Sequence, residues 1–447
     1  MTNNVKDKIT KLIPSLKKFG LKLTIDNNFI YLAAEAKLFN TGAFEANKRI
    51  IYYLLNTFEN DYFILLKNIP YCLLPDAVDH IDYKESASDY FLKFNNCKQC
   101  RFFSSCPGIN RIYAKHIKKV SPVIDLPIDI SIEVNKACNL SCQFCTRSLK
   151  AQKIYPSFSK IKKVLDDARR LNIKYARFTG GEPLLRKDIL KILIYAKSKG
   201  FHTFLNTNAT LLNTKTIRVL EKCADNVLVS LCGYDNLTEE LINSKTGVIK
   251  TKLVNVLRLT RSNIPRIRIG TVISDILIDN FTKYAALIKF LGIRNWELYR
   301  PILSKESTQQ HKIYDINRNK LQKLLKLMHR AKKTGINTYI ANSTPFCITD
   351  NIEFKTLMRG AQFDDGHNRL VFDNRGFFKP SYFIEENLGT NLEEAWNKVL
   401  RKNIASCKSL SLKCKHCKYL SWCLGGSRSL ANTDDNNHSL RDPLMSA

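Results

Sequence analysis

The sequence predicts an α/β protein: a partial (β/α)6 barrel of TIM type, flanked by small cysteine-rich α+β N- and C-terminal domains. Three observations predict it. Apolar strand patterns alternate with amphipathic helix patterns through the central part of the 447-residue chain, the order of parallel βαβ units. Polar and glycine-rich runs fall at the C-terminal ends of those strands, where the βα loops of such a barrel converge. Of the 14 cysteines, all but Cys223 and Cys232 gather into three groups, one before, one within and one after the alternating region. The expected division is residues 1–121 as an N-terminal α+β region, 122–305 as the barrel, and 306–447 as the C-terminal region.

The N-terminal region carries Ile69-Pro70-Tyr71-Cys72 and then Cys97-x2-Cys100-x5-Cys106, and ends at the basic, proline-marked stretch Lys118-Lys119-Val120-Ser121-Pro122. Ile128 to Val134 is the first predicted barrel strand and delivers a cysteine loop. Ser159 is the expected N-cap of the next helix, whose Ile161, Val164, Leu165 and Ala168 share one face of a 3.6-residue period. Tyr175 to Thr179 is the second strand and runs straight into Gly180-Gly181. A helix from about Lys187 to Lys199 stops at Gly200, and Phe201 to Asn206 is the third strand. Asn226 to Leu231, Ile267 to Ile273 and Trp296 to Tyr299 complete the set of six. Beyond the barrel, Leu321, Leu324, Leu325 and Met328 form an apolar helix stripe read as core, and Gly335 ends that helix. Thr344-Pro345-Phe346-Cys347 and Cys414-x2-Cys417-x5-Cys423 then repeat the N-terminal pattern, so each flank is expected to carry its own metal site.

Composition bounds the function. A 44% hydrophobic content is ordinary for a globular chain, and no apolar run approaches a bilayer-spanning length. The N-terminal residues lack a secretion signal, so a cytoplasmic location is expected. In that reducing compartment clustered cysteines point to metal rather than disulfides, and the two isolated ones are read as buried structural thiols. The net charge of +31 is scattered in pairs such as Lys17-Lys18 and Lys332-Lys333. Charge alone carries no specificity, so a solvated basic surface is favoured over a nucleic-acid face, and no membrane partner is expected.

The chemistry sits in Cys138-x3-Cys142-x2-Cys145. Three thiolates at this spacing can hold three irons of a 4Fe-4S cluster and leave the fourth open to a small ligand. The alternative is zinc, which would need a fourth ligand that the loop does not offer. Phe144 precedes the last of these cysteines, and Thr179-Gly180-Gly181-Glu182-Pro183 follows one βα unit later.

These features resemble the radical S-adenosylmethionine (SAM) superfamily. The resemblance implies a barrel of the radical SAM kind, a 4Fe-4S cluster on Cys138, Cys142 and Cys145, and one-electron cleavage of SAM to a 5'-deoxyadenosyl radical. It implies that the backbone of Thr179, Gly180 and Gly181 engages the SAM amino group, with Glu182 its charge partner. Asn206-Thr207-Asn208 is similar to the family's Thr-Asn-Gly element near the SAM carboxylate and ribose, with Ala209 where glycine is usual. Ser230-Leu231-Cys232-Gly233 resembles its Ser-Leu-Asp-Gly element, with Cys232 at the aspartate position. Ile269 to Ile273 would be an apolar wall for adenine, or core.

From about Gly335 onward the chain resembles the SPASM/twitch extension, which carries auxiliary 4Fe-4S clusters. Gly376-Phe377-Phe378-Lys379-Pro380-Ser381, Leu388-Gly389, the Cys414 triplet and Gly425-Gly426-Ser427-Arg428 carry that likeness. Ser381 and Ser427 stand where the family has cysteines, and Asp442-Pro443-Leu444-Met445 lacks another. The first auxiliary cluster is therefore expected to be absent. A second could stand on Cys414, Cys417 and Cys423 with Cys407 or Cys347 as fourth ligand, and the N-terminal Cys72, Cys97, Cys100 and Cys106 could close a further site, iron-sulfur or zinc in either case.

The function implied is hydrogen-atom removal from an unactivated carbon of a peptide or protein substrate, in the manner of a maturase of ribosomal peptides, with a reductant such as flavodoxin or ferredoxin. Tyr382 occupies the spot where sulfatase-maturing members keep an aspartate base, which disfavours that branch. The alternatives are radical SAM modification of a nucleoside, heme precursor or other cofactor, and a non-catalytic iron-sulfur electron carrier or peptide-binding scaffold.

Overall fold

A computed structural model describes residues 2–26, 28–35, 37–40, 44–58, 61–82, 91–103, 106–114, 120, 122–145, 155–303, 311–406, 410–431 and 442–445. The chain forms two compact units, residues 1–125 with 351–356, and residues 126–350 with 357–447. Among the described residues no helix is long and apolar enough to cross a membrane.

The first unit is built on a four-stranded sheet, β1 (Leu21–Asp26), β2 (Phe29–Ala34), β3 (Phe63–Lys67) and β4 (Ile81–Asp82), in that order. β1 and β2 pair antiparallel, and β2, β3 and β4 run parallel. Ile30, Leu32, Ile64 and Leu66 meet Ile9 and Leu16 of one helix and Ile51, Leu54 and Leu55 of another in a single apolar cluster. A short antiparallel ribbon, β5 (Phe91–Leu92) with β6 (Ile109–Asn110), brackets the Cys97–Cys106 run.

The second unit is a nine-stranded sheet. The six predicted strands are observed as β7 (Asp129–Glu133), β8 (Tyr175–Thr179), β9 (His202–Thr207), β10 (Asn226–Ser230), β11 (Arg266–Val272) and β12 (Asn295–Tyr299), each parallel to the next. β13 (Asn337–Ile340) adds beyond β12, and β14 (Arg369–Phe372) adds parallel to β7 with β15 (Phe378–Lys379) antiparallel outside it. Helices cover the sheet between strands. The one after β7, Phe158–Arg170, buries Ile161, Val164, Leu165 and Ala168. Its cap is Ser157, not Ser159: Ser157 has the extended backbone a cap requires, and its hydroxyl accepts the Lys160 N–H at 3.2 Å, while the Ser159 hydroxyl, already inside the first turn, bonds only to Ser157 Oγ. The helix Arg318–Lys333 buries Leu321, Leu324, Leu325 and Met328 as core.

Every residue of β7 is buried, including Asp129. Arg177 of β8 and Arg369 of β14 flank its carboxylate at 3.3 and 3.1 Å. Burial pushes this carboxyl up, but the two guanidinium groups outweigh it and hold the group below its ordinary range. The three-strand ion cluster thereby pins the register of the strand that delivers the cysteine loop.

Candidate active site

The cysteine loop leaves β7 and is stitched at once to the turn after β8. Val134 N–H donates to Thr179 O (2.8 Å), Gly181 N–H to Asn135 O (3.0 Å), and Glu182 N–H to Ala137 O (2.8 Å). The two backbones approach so closely that only glycine fits: a Cβ at Gly181 would lie 1.9 Å from the Ala137 carbonyl oxygen, and Gly180 has φ +145°. The glycine pair that the sequence singled out thus serves first to seat the loop of Cys138, Cys142 and Cys145.

A second anchor comes from the helix Asn236–Asn243, whose last carbonyls would otherwise lack partners. Ile242 O and Asn243 O accept the N–H groups of Gln143 and Ser141. That helix is fixed by buried Glu239, which takes Gly233 N–H (2.6 Å), Asn243 Nδ2 (2.8 Å) and the Lys252 ammonium. A third anchor is Asn208, whose Nδ2 bonds Asn139 Oδ1 at 2.9 Å and stands 3.9 Å from Cys138 Sγ.

Glu182 is 1% exposed. Its Oε1 accepts Leu184 N–H (3.0 Å) and Thr207 Oγ1 (2.8 Å), and its Oε2 accepts Asn208 N–H (2.7 Å). Both oxygens are engaged within the protein, so the carboxylate acts by joining the turns after β8 and β9. Burial pushes its pKa up against these hydrogen bonds.

Between the strand ends lies a cavity of about 260 Å³ lined by Phe144, Cys145, Thr179, Asn206 and Ser230, with Tyr299, Arg300 and Tyr382 across from them. Four predicted elements converge there, from the ends of β7, β8, β9 and β10. Asn206 lines the cavity, and its Oδ1 is buried without a hydrogen-bond partner. Apolar wall is supplied by Leu228, Gly270, Val272 and Ile302, while Ile269 and Ile273 of the predicted adenine wall are fully buried core. Phe144 meets Tyr314 edge-on at 5.9 Å. Asn208 faces the cysteine loop, as above. Cys232 is buried at the cavity floor, its thiol pushed up to about 11 by desolvation and by the Glu239 charge, and Cys223 is buried with its thiol donating to Val219 O.

The donor set fits an iron-sulfur cluster with a vacant corner. Cys138 and Cys145 are exposed, Cys142 is half-buried, none is in a disulfide, and Asn206, with its orphaned oxygen, lines the same cavity as Cys145. Among the described residues no three His, Cys, Asp or Glu side chains converge on a single-ion point.

In the C-terminal part, Ser381 Oγ accepts the N–H groups of Phe383 and Ile384, and Ser427 Oγ accepts that of Leu430. Asp442 makes a bidentate pair with Arg300 at 2.6 and 3.0 Å and accepts Ser427 N–H. Hydroxyls thus stand at Ser381 and Ser427, where the family resemblance would assign thiolates. Cys347, Cys414, Cys417 and Cys423 are all free thiols, with Phe346 N–H 3.5 Å from Cys423 Sγ. Cys407 lies outside the described residues. Sequence reading missed Arg300 as a cavity residue, although it directly follows Tyr299 at the end of β12 and the strand-end rule would have flagged it.

Residues 132–291 match the family described as the radical SAM superfamily. Among curated proteins, the chain is 22% identical over 339 residues to the AdoMet-dependent heme synthase of Oleidesulfovibrio alaskensis, covering 70% of this chain and 86% of that protein. It is 28% identical over 145 residues to the PqqA peptide cyclase of Rhodopseudomonas palustris, covering 32% of this chain and 38% of that protein. Among solved structures, Streptococcus suis SuiB bound to S-adenosylmethionine superposes with a TM-score of 0.60 at 18% identity, over 72% of this chain and 78% of SuiB. SuiB has also been solved bound to its precursor peptide SuiA. At this identity the superposition shows the shared fold.

Proposed function

Residues 132–291 make this chain a radical SAM enzyme, and from that premise we propose that it modifies an unactivated carbon of a peptide or protein substrate. The observation that carries the reading is the single cavity on which Cys145, Thr179, Asn206 and Ser230 converge from four strand ends. When bound, the cluster supplies the electron that cleaves SAM to a 5'-deoxyadenosyl radical.

The chain's own part is positioning. Cys138, Cys142 and Cys145 would hold three irons of the cluster, and the Glu182, Glu239 and Asn208 anchors fix their loop. Asn206, whose Oδ1 has no partner within the chain, would accept a donor from bound SAM. Leu228, Val272 and Ile302 exclude water from the reacting carbon, and Tyr299 and Tyr382 border the space left for the target side chain. Peptide substrates are favoured by the SuiB fold, solved with a precursor peptide, by the SPASM-like C-terminal sequence, and by a net charge of +31 suited to an acidic leader. An auxiliary cluster on the C-terminal cysteines and a flavodoxin- or ferredoxin-type reductant in the cytoplasm complete the proposal.

A second reading, action on a heme precursor, is favoured by the heme synthase match across 70% of the chain. Anaerobic, reduced, cluster-replete protein should release 5'-deoxyadenosine from SAM, and Cys142→Ala should abolish it. Deuterium carried into that product from a labelled acidic precursor peptide supports the peptide reading. Deuterium carried instead from a labelled porphyrin-type precursor overturns it.

A further inference from the structure

The echo between the two cysteine-rich flanks extends from spacing to backbone geometry. In the N-terminal unit Cys100 N–H donates to Cys97 O (2.9 Å), Phe103 N–H to Cys100 O (2.9 Å), and Cys106 N–H to Phe102 O (2.7 Å). At the corresponding steps of the C-terminal run, Cys417 N–H donates to Cys414 O (3.0 Å), Leu420 N–H to Cys417 O (3.0 Å), and Cys423 N–H to Tyr419 O (2.9 Å). The aromatic side chain four residues before the last cysteine has the same partner in each. Phe102 stacks on Tyr71 with centroids 3.9 Å apart, and Tyr419 meets Phe346 at 6.0 Å. Tyr71 and Phe346 each follow a proline that caps a one-turn 3-10 helix containing Cys72 or Cys347. Two residues past the last cysteine stands a glycine in the left-handed region, Gly108 (φ +111°) or Gly425 (φ +77°), whose N–H reaches back to the cysteine sulfur.

We propose that the N-terminal unit holds its own iron-sulfur cluster on Cys72, Cys97, Cys100 and Cys106, in a frame repeated around Cys347, Cys414, Cys417 and Cys423. The four N-terminal sulfurs line one cavity whose other walls include Tyr71, Phe103, Ile109 and Val120, dry surroundings of the sort such clusters occupy. Lys93, also lining it, brings a positive charge to offset the negative charge of four thiolates. A lone zinc ion on the same four thiolates is the alternative occupant, and the metal count below separates the two. With four thiolates every corner is closed, so this cluster binds neither SAM nor substrate. The correspondence also assigns the fourth ligand of the C-terminal set: Cys347 stands where Cys72 stands, and Cys407 has no counterpart. The inference rests on these two frames and not on the peptide reading.

The test is an iron, sulfide and zinc count on the full chain, reconstituted without oxygen, in a Cys138→Ala/Cys142→Ala/Cys145→Ala background that removes the SAM-binding cluster. Two closed clusters predict about eight irons per chain. Adding Cys97→Ala/Cys100→Ala should halve the iron, adding Cys347→Ala instead should open one corner of the C-terminal cluster and change its electron paramagnetic resonance signal, and adding Cys407→Ala should leave both iron and signal unchanged. Iron unaffected by the Cys97/Cys100 change, or stoichiometric zinc displaced by it, overturns the proposal. If that variant does not fold, Cys72→Ser is read by electron paramagnetic resonance: a perturbed signal from one cluster supports the site, and an unchanged spectrum overturns it. Wild-type protein that carries the full iron but makes no 5'-deoxyadenosine would sink the SAM-cleavage reading and leave this one standing.

Discussion

The Glu182 carboxylate accepts the main-chain N–H of Asn208 at 2.7 Å, so the residue that opens the turn after β8 holds the residue that follows β9. Asn208 in turn reaches the loop of Cys138 through Asn139. One buried carboxylate therefore couples three of the strand ends that border the cavity.

Glu182→Gln keeps the volume but leaves one oxygen to serve three donors, so an amide N–H₂ must face an N–H or hydroxyl. A buried donor left unsatisfied costs about 1–3 kcal/mol. The expected result is a lower melting temperature together with weaker SAM binding, read as a raised KM for SAM in 5'-deoxyadenosine release. Unchanged values for both would show that the carboxylate does not organise these turns.

Gly181→Ala tests the stitch between the two loops. Its new methyl would sit 1.9 Å from Ala137 O and 2.4 Å from the Ala137 carbonyl carbon, both backbone atoms that cannot rotate aside. The cysteine loop must move, so iron at the Cys138 trio and SAM cleavage should both be lost while the rest of the fold persists. Full iron occupancy with wild-type turnover would refute this.

Lys252 and Glu239 form a buried ion pair that supports the helix carrying Ile242 and Asn243. Lys252→Met strands Glu239 as an uncompensated buried charge, a change that costs about 3–5 kcal/mol. Thermal unfolding should show that loss, and the double variant Lys252→Met/Glu239→Leu should recover part of it. A single variant as stable as wild type would mean the pair carries no such weight.

What the sequence made legible was local. The six central strands announce themselves by apolar runs between helix patterns, and the cysteine trio by spacing within eight residues of chain. β13 and β14 did not, because Asn337–Ile340 and Arg369–Phe372 are four-residue segments whose strand character comes from pairing with the open edges at β12 and β7. Arg300 and Asp442 are separated by 142 residues, and no local pattern joins them. Glu182 was legible as important, but its partners Thr207 and Asn208 emerge only once β8 and β9 lie side by side. Ser157 and Ser159 differ as caps by where the first helical turn begins, a boundary that composition does not mark.

Asp365 gives a pH signature to the C-terminal region. It is fully buried beside Asp364, and desolvation, then the Asp364 charge, push its pKa from 3.8 up to about 7. The unfolded chain releases this proton above about pH 4, while the folded chain keeps it until about pH 7. Its contribution to stability is therefore complete below pH 4 and is lost progressively as pH rises to 7, by about 1.4 kcal/mol per unit. Asp365→Asn removes the titration. Asparagine tolerates the left-handed backbone here (φ +51°), its oxygen can take the Arg428 N–H, and its amide can donate to the Ser429 hydroxyl. The nearby His367, held neutral down to about 3 by burial and by Arg428 and Arg401, imposes the opposite slope but is common to both proteins and cancels in their difference. The stability of Asp365→Asn relative to wild type should thus rise between pH 5.5 and 7 and level off above it, read as the difference in melting temperature across a buffer series. A difference that is flat over that range would place the Asp365 proton elsewhere.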